Sequence, residues 1–327
     1  MLNLYSPPLW RQVLRKNFNQ WEKLADFLQL DAGQRLHITQ RTDFPLNLPF
    51  RLAEKVVKGT LDDPILKQFL PTVQEHHSAA GYCSDPLQDE SCRKSPKLLK
   101  KYAGRVLLVC TSACAMHCRY CFRQNFDYEV EHKLFKEELF YISQDPSIHE
   151  VILSGGDPLS LSDPMLFDLF EQIASIPHIR RLRIHTRFPM GIPERIDEAF
   201  LENFHQLRLP VWMVIHANHP REFDEDIFAA LDQLRYRGIG LLCQSVLLRG
   251  VNDSVETLVA LSETLIDHGI LPYYLHQLDR VQGASHFEVP EEEGERILQE
   301  MSQHLPGFAI PRYVRESPGE PSKTSII

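Results

Sequence analysis

Apolar and polar positions change rhythm about a third of the way along the chain. Through the first 95 residues apolar side chains recur at helical spacing, as in Trp10, Val13, Leu14, Phe18, Trp21, Leu24 and Leu28. That stripe predicts short helices with one buried face. From Ser78 to Lys100 the chain turns polar and charged and carries Pro86 and Pro96, the composition of a connector. Beyond it, β-rich apolar runs alternate with amphipathic stretches. Strands are expected near 105–110, 150–154, 181–186, 211–216, 239–246, 271–276 and 308–314. Helices are expected between them, over 162–175, 221–236, 255–268 and 290–304.

This alternation is the signature of βαβ units around a parallel sheet, so the fold class is α/β. Six units in roughly 200 residues are too few for a closed eightfold barrel. An open, partial barrel or a doubly wound sheet remains. In both, the loops at the carboxyl ends of the strands share one mouth, and chemistry gathers there. The residues so placed are Cys114, Cys118 and Cys121 after the first strand, then Gly155, Gly156 and Asp157 after the second. His185 and Arg187 flank the end of the third, His216 ends the fourth, Gln244 and Arg249 lie around the fifth, Asp279 follows the sixth, and Lys323 lies beyond the last.

Composition narrows the setting. With 327 residues, 43% hydrophobic and 24% charged, the chain is an ordinary globular one with enough length for a full core. Thirty-five Lys and Arg against 44 Asp and Glu leave a net charge of −9, the wrong sign for gripping a phosphate backbone, so nucleic acid is not expected as the main partner. No apolar run reaches the ~18 residues of a membrane span. The opening MLNLYSPPLWRQ lacks the apolar stretch of a secretion signal. Seven cysteines, an odd number in a long chain, point to thiols in a reducing compartment, and a cytoplasmic location is expected.

Three of those cysteines form Cys114-Ala-Met-His-Cys118-Arg-Tyr-Cys121, a C-x3-C-x2-C spacing. Three thiolates this close suit three irons of a 4Fe-4S cluster and leave the fourth iron open to a small molecule. The same spacing admits a zinc site completed by Cys110 or His117, or coincidence. Tyr120, directly before the third cysteine, is placed to screen a cluster from water. Cys83, Cys92, Cys110 and Cys243 read as ordinary thiols.

The triplet resembles the radical S-adenosylmethionine (SAM) superfamily, in which the methionine part of the cofactor chelates the open iron. Gly155-Gly156-Asp157-Pro158 is similar to that superfamily's glycine-rich motif, which meets the methionine amine. The resemblance implies a partial (βα)6 barrel over 96–315, preceded by an N-terminal helical region and connector over 1–95 and followed by a short lysine-bearing tail over 316–327.

Within the superfamily, KYAGRVLL at 101–108, LSGGDPL at 153–159, VWMVIHANHP at 211–220, QSVLLRGVND at 244–253 and PYYLHQLD at 272–279 resemble the lysine 2,3-aminomutase family. That family combines SAM with pyridoxal 5′-phosphate (PLP), and the resemblance implies an isomerase that converts L-lysine to β-lysine by a radical 1,2-amino shift. By itself a lysine near the end of the sequence reads as a tail residue. The resemblance makes Lys323 the PLP lysine. It also implies that Arg105 grips the PLP phosphate, that Arg123 pairs with the substrate carboxylate, and that His216 and Gln244 line the SAM pocket. Asp279 matches one of two acids that hold the ε-ammonium of lysine, and Glu316 stands where the family has the second, an aspartate.

Other departures place the chain within the family. The glycine run before the PLP lysine is here Gly319-Glu320-Pro321-Ser322, and Ser254 stands where longer members carry a zinc ligand, so zinc is not expected. The ending and the segment RVQGASHF at 280–287 resemble the bacterial branch that makes (R)-β-lysine for elongation factor P, to which a separate ligase attaches it. The resemblance also implies an electron donor such as a flavodoxin, and a homo-oligomer is compatible with it. Two further readings stand beside this one: a PLP-independent radical enzyme acting on a peptide or RNA, and a non-catalytic zinc- or cluster-binding module.

Overall fold

The computed structural model describes residues 7–39, 43–128, 134–204 and 207–327. Among them, ten strands form one sheet whose spatial order is the chain order. They are β1 (Arg93–Ser95), β2 (Leu98–Leu99), β3 (Arg105–Val109), β4 (Glu150–Ser154), β5 (Arg181–Thr186), β6 (Val211–His216), β7 (Gly240–Val246), β8 (Leu271–His276), β9 (Arg312–Arg315) and β10 (Thr324–Ser325). Strands β3 to β9 are parallel, while β1, β2 and β10 add antiparallel at the two edges. A doubly wound sheet reverses its strand order at a switch point. Here the order never reverses, so right-handed crossovers carry every connecting helix to the same face and the sheet curls around its other face. The result is the open partial barrel.

The helices form where period and caps agree. Val255–Asp267 starts at Ser254, whose Oγ accepts the Thr257 N–H at 3.2 Å, and buries Leu258, Leu261 and Leu265 on one face. It stops at Gly269, whose φ of +68° lets the N–H groups of Gly269 and Ile270 cap the carbonyls of Ile266 and Leu265. Each buried leucine contributes about 1.5–3 kcal/mol by leaving water. Leu261→Ala would cost about 2–5 kcal/mol. Asp163–Ser175, Glu225–Tyr236 and Glu291–Met301 complete the helices expected from the sequence.

One segment forms the short helices expected, and two others differ from the sequence reading. The apolar stripe over the first 28 residues is two helices, Leu9–Leu14 and Trp21–Phe27, because Phe18 leaves the helix to bridge Leu48 in extended backbone. The polar connector ends in the β1–β2 hairpin, which extends the sheet past β3. Beyond β9 the tail folds back as β10, pairing Thr324 with Arg315 and Ser325 with Val314.

One hydrophobic core runs from Trp10 through the barrel to Tyr313. Trp10 meets Phe188 edge to face at 5.5 Å, and Arg51 reaches Glu194 and Asp224, so the early helices are clamped to the outside of the barrel. No helix among the described residues is long and apolar enough to cross a membrane.

Candidate active site

Side chains alternate across a strand, so every second residue of a curled sheet faces its interior. Here those residues are Arg105 and Leu107 on β3, Ile152 and Ser154 on β4, Arg183 and His185 on β5, Gln244 and Val246 on β7, and Tyr274 and His276 on β8. They enclose a cavity of about 330 Å³. Fifteen of the candidate residues line it: Cys114, Cys118, Cys121, Gly155, Gly156, Asp157, Arg105, Arg123, His185, Arg187, His216, Gln244, Asp279, Glu316 and Lys323. Arg249 does not; it turns outward to Glu293 and Asp253.

The thiols stand on the loop after β3, and the glycine loop after β4 lies directly against it. Gly156 N–H donates to Thr111 O at 2.6 Å and Asp157 N–H to Ala113 O at 2.8 Å. A Cβ on Gly155 would fall 2.9 Å from Thr111 O, and one on Gly156 only 2.4 Å from Ala113 O, so the approach requires glycine. The Asp157 carboxylate accepts the Thr186 hydroxyl and the N–H groups of Leu159, Arg187 and Phe188 at 2.8–3.0 Å. It locks the loop after β4 to the end of β5, leaving the loop's backbone toward the cavity.

Burial raises the Cys121 thiol to about 11 and lifts Cys114 well above its ordinary value. Such thiols stay neutral without a cation or metal to stabilise the thiolate. Among the described residues no three His, Cys, Asp or Glu side chains are arranged around one metal ion. The two extra zinc ligands considered above face elsewhere. His117 Nδ1 meets Pro45 O at 2.8 Å, and the buried Cys110 thiol points at Leu108 O. Ser254 serves as the helix cap already described. A donor set of three thiols on one cavity wall fits a 4Fe-4S cluster.

Beside the thiols, Tyr120 O accepts from Arg187 Nη1 at 2.5 Å and Asn218 Nδ2 at 2.6 Å, and its hydroxyl lies 2.9 Å from His216 Nε2 and 3.4 Å from Gln68 Oε1. Burial and the Arg187 charge hold His216 well below its ordinary value, and the imidazole is neutral. No hydrogen bond engages the Gln244 side chain among the described residues, and it faces the cavity one strand away, in register with His216.

On the opposite side a chain of charges crosses from one strand edge to the other. Arg123 Nε meets Asp89 Oδ2 at 2.9 Å, Asp89 Oδ1 meets Lys101 Nζ at 2.6 Å, Lys101 Nζ meets Glu316 Oε1 at 2.9 Å, and Glu316 Oε2 meets Lys323 Nζ. Two ammonium groups hold Glu316 well below the usual carboxylate range. Asp279, with no hydrogen bond to its carboxylate among the described residues, is raised to about 7, first by burial and then by the charge of Glu316.

Lys323 owes its position to the β9–β10 hairpin. Ser317-Pro318-Gly319-Glu320 turns with Pro318 second and Gly319 third at φ +83°, closed by Glu320 N–H to Ser317 O at 3.3 Å. Pairing of Thr324 with Arg315 then sets Lys323 beside Glu316. Deeper in, the His185 Nε2 and Arg183 Nε atoms are buried without partners, and Arg105 forms no ion pair among the described residues. Unpaired donors around a lysine fit an anionic, hydrogen-bonding group such as PLP.

Residues 103–181 match the family model described as a 4Fe-4S single cluster domain. L-lysine 2,3-aminomutase of Escherichia coli is 41% identical over 330 aligned residues, covering 99% of this chain and 96% of that one. The chain belongs to the lysine 2,3-aminomutase family. The enzyme of the same name from Haemophilus influenzae is 40% identical over 96% of this chain and 94% of its own. A radical SAM methyltransferase from Sphaerobacter thermophilus aligns at TM-score 0.45 and 17% identity, over 66% of this chain and 68% of that one, a likeness too loose to bear on the fold. Lysine 2,3-aminomutases are radical isomerases that use a 4Fe-4S cluster, SAM and PLP.

Sequence reasoning missed several cavity residues. Lys101 and Tyr102 follow what reads as connector, with Lys101 paired to Asp89 inside it, and Arg183, Tyr273 and His276 are polar strand residues that carry no motif. The period-two alternation of polar residues on β5 and β8 was the signal available.

Proposed function

We propose that this chain is an L-lysine 2,3-aminomutase that forms (R)-β-lysine, and that Cys114, Cys118 and Cys121 hold its cluster while Lys323 holds PLP. The carrying observation is that one cavity presents three thiols, Lys323, and an arginine and two acids suited to the two ends of lysine. When bound, the cluster and SAM supply a hydrogen-abstracting 5′-deoxyadenosyl radical, and PLP carries the migrating nitrogen and delocalises unpaired spin.

The protein's own groups do the rest. Arg123 is fixed by Asp89 and Ser154 through Nε and Nη1, which leaves Nη2 for the substrate carboxylate. Asp279 and Glu316 bind the ε-ammonium, and Lys101 keeps Glu316 ionised while occupying only one of its oxygens. Lys323 occupies the other, so a Lys323 bonded elsewhere frees it for substrate. Arg105 takes the PLP phosphate, and His216, Gln244 and the Gly155-Gly156 backbone, set by Asp157, take SAM. Apolar Leu107, Ile152 and Leu278 keep water from the reacting centre. An anionic side chain in place of the ammonium would meet two carboxylates, which selects lysine over glutamate.

The R product, its use on elongation factor P through a separate ligase, a flavodoxin-like electron donor and a cytoplasmic setting are supported by the branch resemblance at 280–287 and in the tail. The test is anaerobic reconstitution with iron, sulfide, PLP, SAM, a reductant and L-lysine, followed by chiral chromatography. β-Lysine of R configuration is expected. Absence of any amino-shifted product from lysine overturns the proposal.

A further inference from the structure

Arg187 is buried at the end of β5 and belongs to none of the roles above. One edge of its guanidinium is anchored: Nη2 lies 2.7 Å from Glu222 Oε2 and 2.7 Å from Gln68 Oε1. Glu222 is itself fully buried and held through its other oxygen by the N–H groups of Asn218 and His219 at 2.9 and 3.1 Å. The opposite edge is aimed at the cysteine loop, with Nη1 2.8 Å from Cys118 Sγ. The Arg187 N–H also binds Asp157 at 2.8 Å, so the side chain is registered to the glycine loop as well. A buried ion pair carries a desolvation cost that stability alone does not explain.

We propose that Arg187 is a positioning residue for the iron-sulfur cluster: its fixed N–H group holds the Cys118 sulfur and raises the one-electron reduction potential of the cluster. This rests on the reading that Cys114, Cys118 and Cys121 ligate that cluster. Hydrogen bonds to ligand sulfurs and local net charge set cluster potentials. A charge-assisted donor in a water-poor site stabilises the reduced cluster more than the oxidised one, because the reduced form carries one more negative charge. The step balances as a single electron: the oxidised cluster gains it, a low-potential one-electron donor loses it, and no proton moves or bond breaks. Glu222 keeps the arginine neutralised overall, so the effect reaches the sulfur as a local dipole and hydrogen bond.

The test uses reconstituted holoprotein titrated with titanium(III) citrate and followed by EPR. Arg187→Met with Glu222→Gln removes both charges together and leaves no orphaned carboxylate, while Arg187→Lys keeps the charge with fewer donors. With iron and sulfide at wild-type content, the double variant is expected to show at least a tenfold lower reduced-to-oxidised ratio at fixed potential, which is about 59 mV for one electron. Arg187→Lys should recover part of it. A fully loaded double variant that titrates with the wild type overturns the proposal. A measurement independent of variant folding uses wild-type protein grown on guanidino-15N arginine, where pulsed EPR of the reduced cluster should show a 15N coupling that Arg187→Lys loses. Absence of that coupling in the wild type, or its persistence in Arg187→Lys, also overturns the proposal. A wild type that takes up no four-iron cluster, or a Cys118→Ala protein that keeps a full one, overturns the ligand reading and this proposal with it. An unmoved potential in a normally loaded protein overturns the proposal alone.

Discussion

Lys101 and Glu316, 215 positions apart, meet at 2.9 Å across the cavity mouth. Lys101 serves Asp89 as well, so a single ammonium neutralises an acid beside Arg123 and an acid beside Lys323. Lys101→Met strips both of a cation where their side chains are only 2% and 14% exposed. The expected loss in urea unfolding is roughly 2–4 kcal/mol. In a double-mutant cycle, Glu316→Gln should recover about 1–3 kcal/mol of it. Strictly additive losses would show that the two residues do not interact.

In its proposed place beside the ε-ammonium, Asp279 is expected to make substrate binding depend on pH. Its value near 7 lies above the ordinary 3.8, so the fold favours the protonated acid, and below pH 7 the ε-ammonium meets one carboxylate where above it meets two. KM for lysine should therefore fall as pH rises through 7, by up to about tenfold per unit on the acid side. Glu316→Gln removes the repelling charge and should move the inflection toward acid. For folding the sign is opposite, since a raised carboxyl value withdraws stability as pH climbs from 3.8 through 7. A KM that stays flat between pH 6 and 8 would contradict the assignment.

Gly156→Ala tests the seam between the two loops. Its Cβ would be driven against backbone, Ala113 O and the Ser112 carbonyl carbon, and backbone has no rotamer with which to yield. The cysteine loop must move, with an overpacking cost of about 1–3 kcal/mol. Iron and sulfide per chain after reconstitution should fall well below the wild type. Full loading with an unchanged melting temperature would mean that the loops are not in contact.

Lys323→Ala separates the two cofactor sites. The thiols and Lys323 come from different ends of the sheet, so the variant should reconstitute with wild-type iron while losing protein-bound pyridoxal absorbance and mutase activity. Retention of that absorbance would remove Lys323 from its proposed role.

Much of the barrel was legible because a parallel strand largely covered on both faces is a mostly apolar run, and RVLLV, EVILS and VWMVIH are such runs. The cysteine triplet was legible because its three thiols are close in sequence. The charge relay was not, since Asp89, Lys101 and Glu316 come together only once the sheet curls. Asp89 lies in the single turn Asp89–Cys92, within a stretch whose charges look solvated. The tail hairpin did carry a local signal, Pro318-Gly319 at the centre of a tight turn, but two-residue β10 is too short to show strand periodicity.

The unreversed strand order has a consequence for biosynthesis. Each strand pairs with the one made just before it, so the sheet can grow outward from the ribosome without waiting for distant partners. The cysteine and glycine loops flank β3 and β4 and emerge early. Glu316 and Lys323 arrive with the final hairpin. A nascent chain thus completes the wall that carries the three thiols well before it acquires Lys323, and the half proposed to generate the radical is synthesised ahead of the half proposed to give it a substrate.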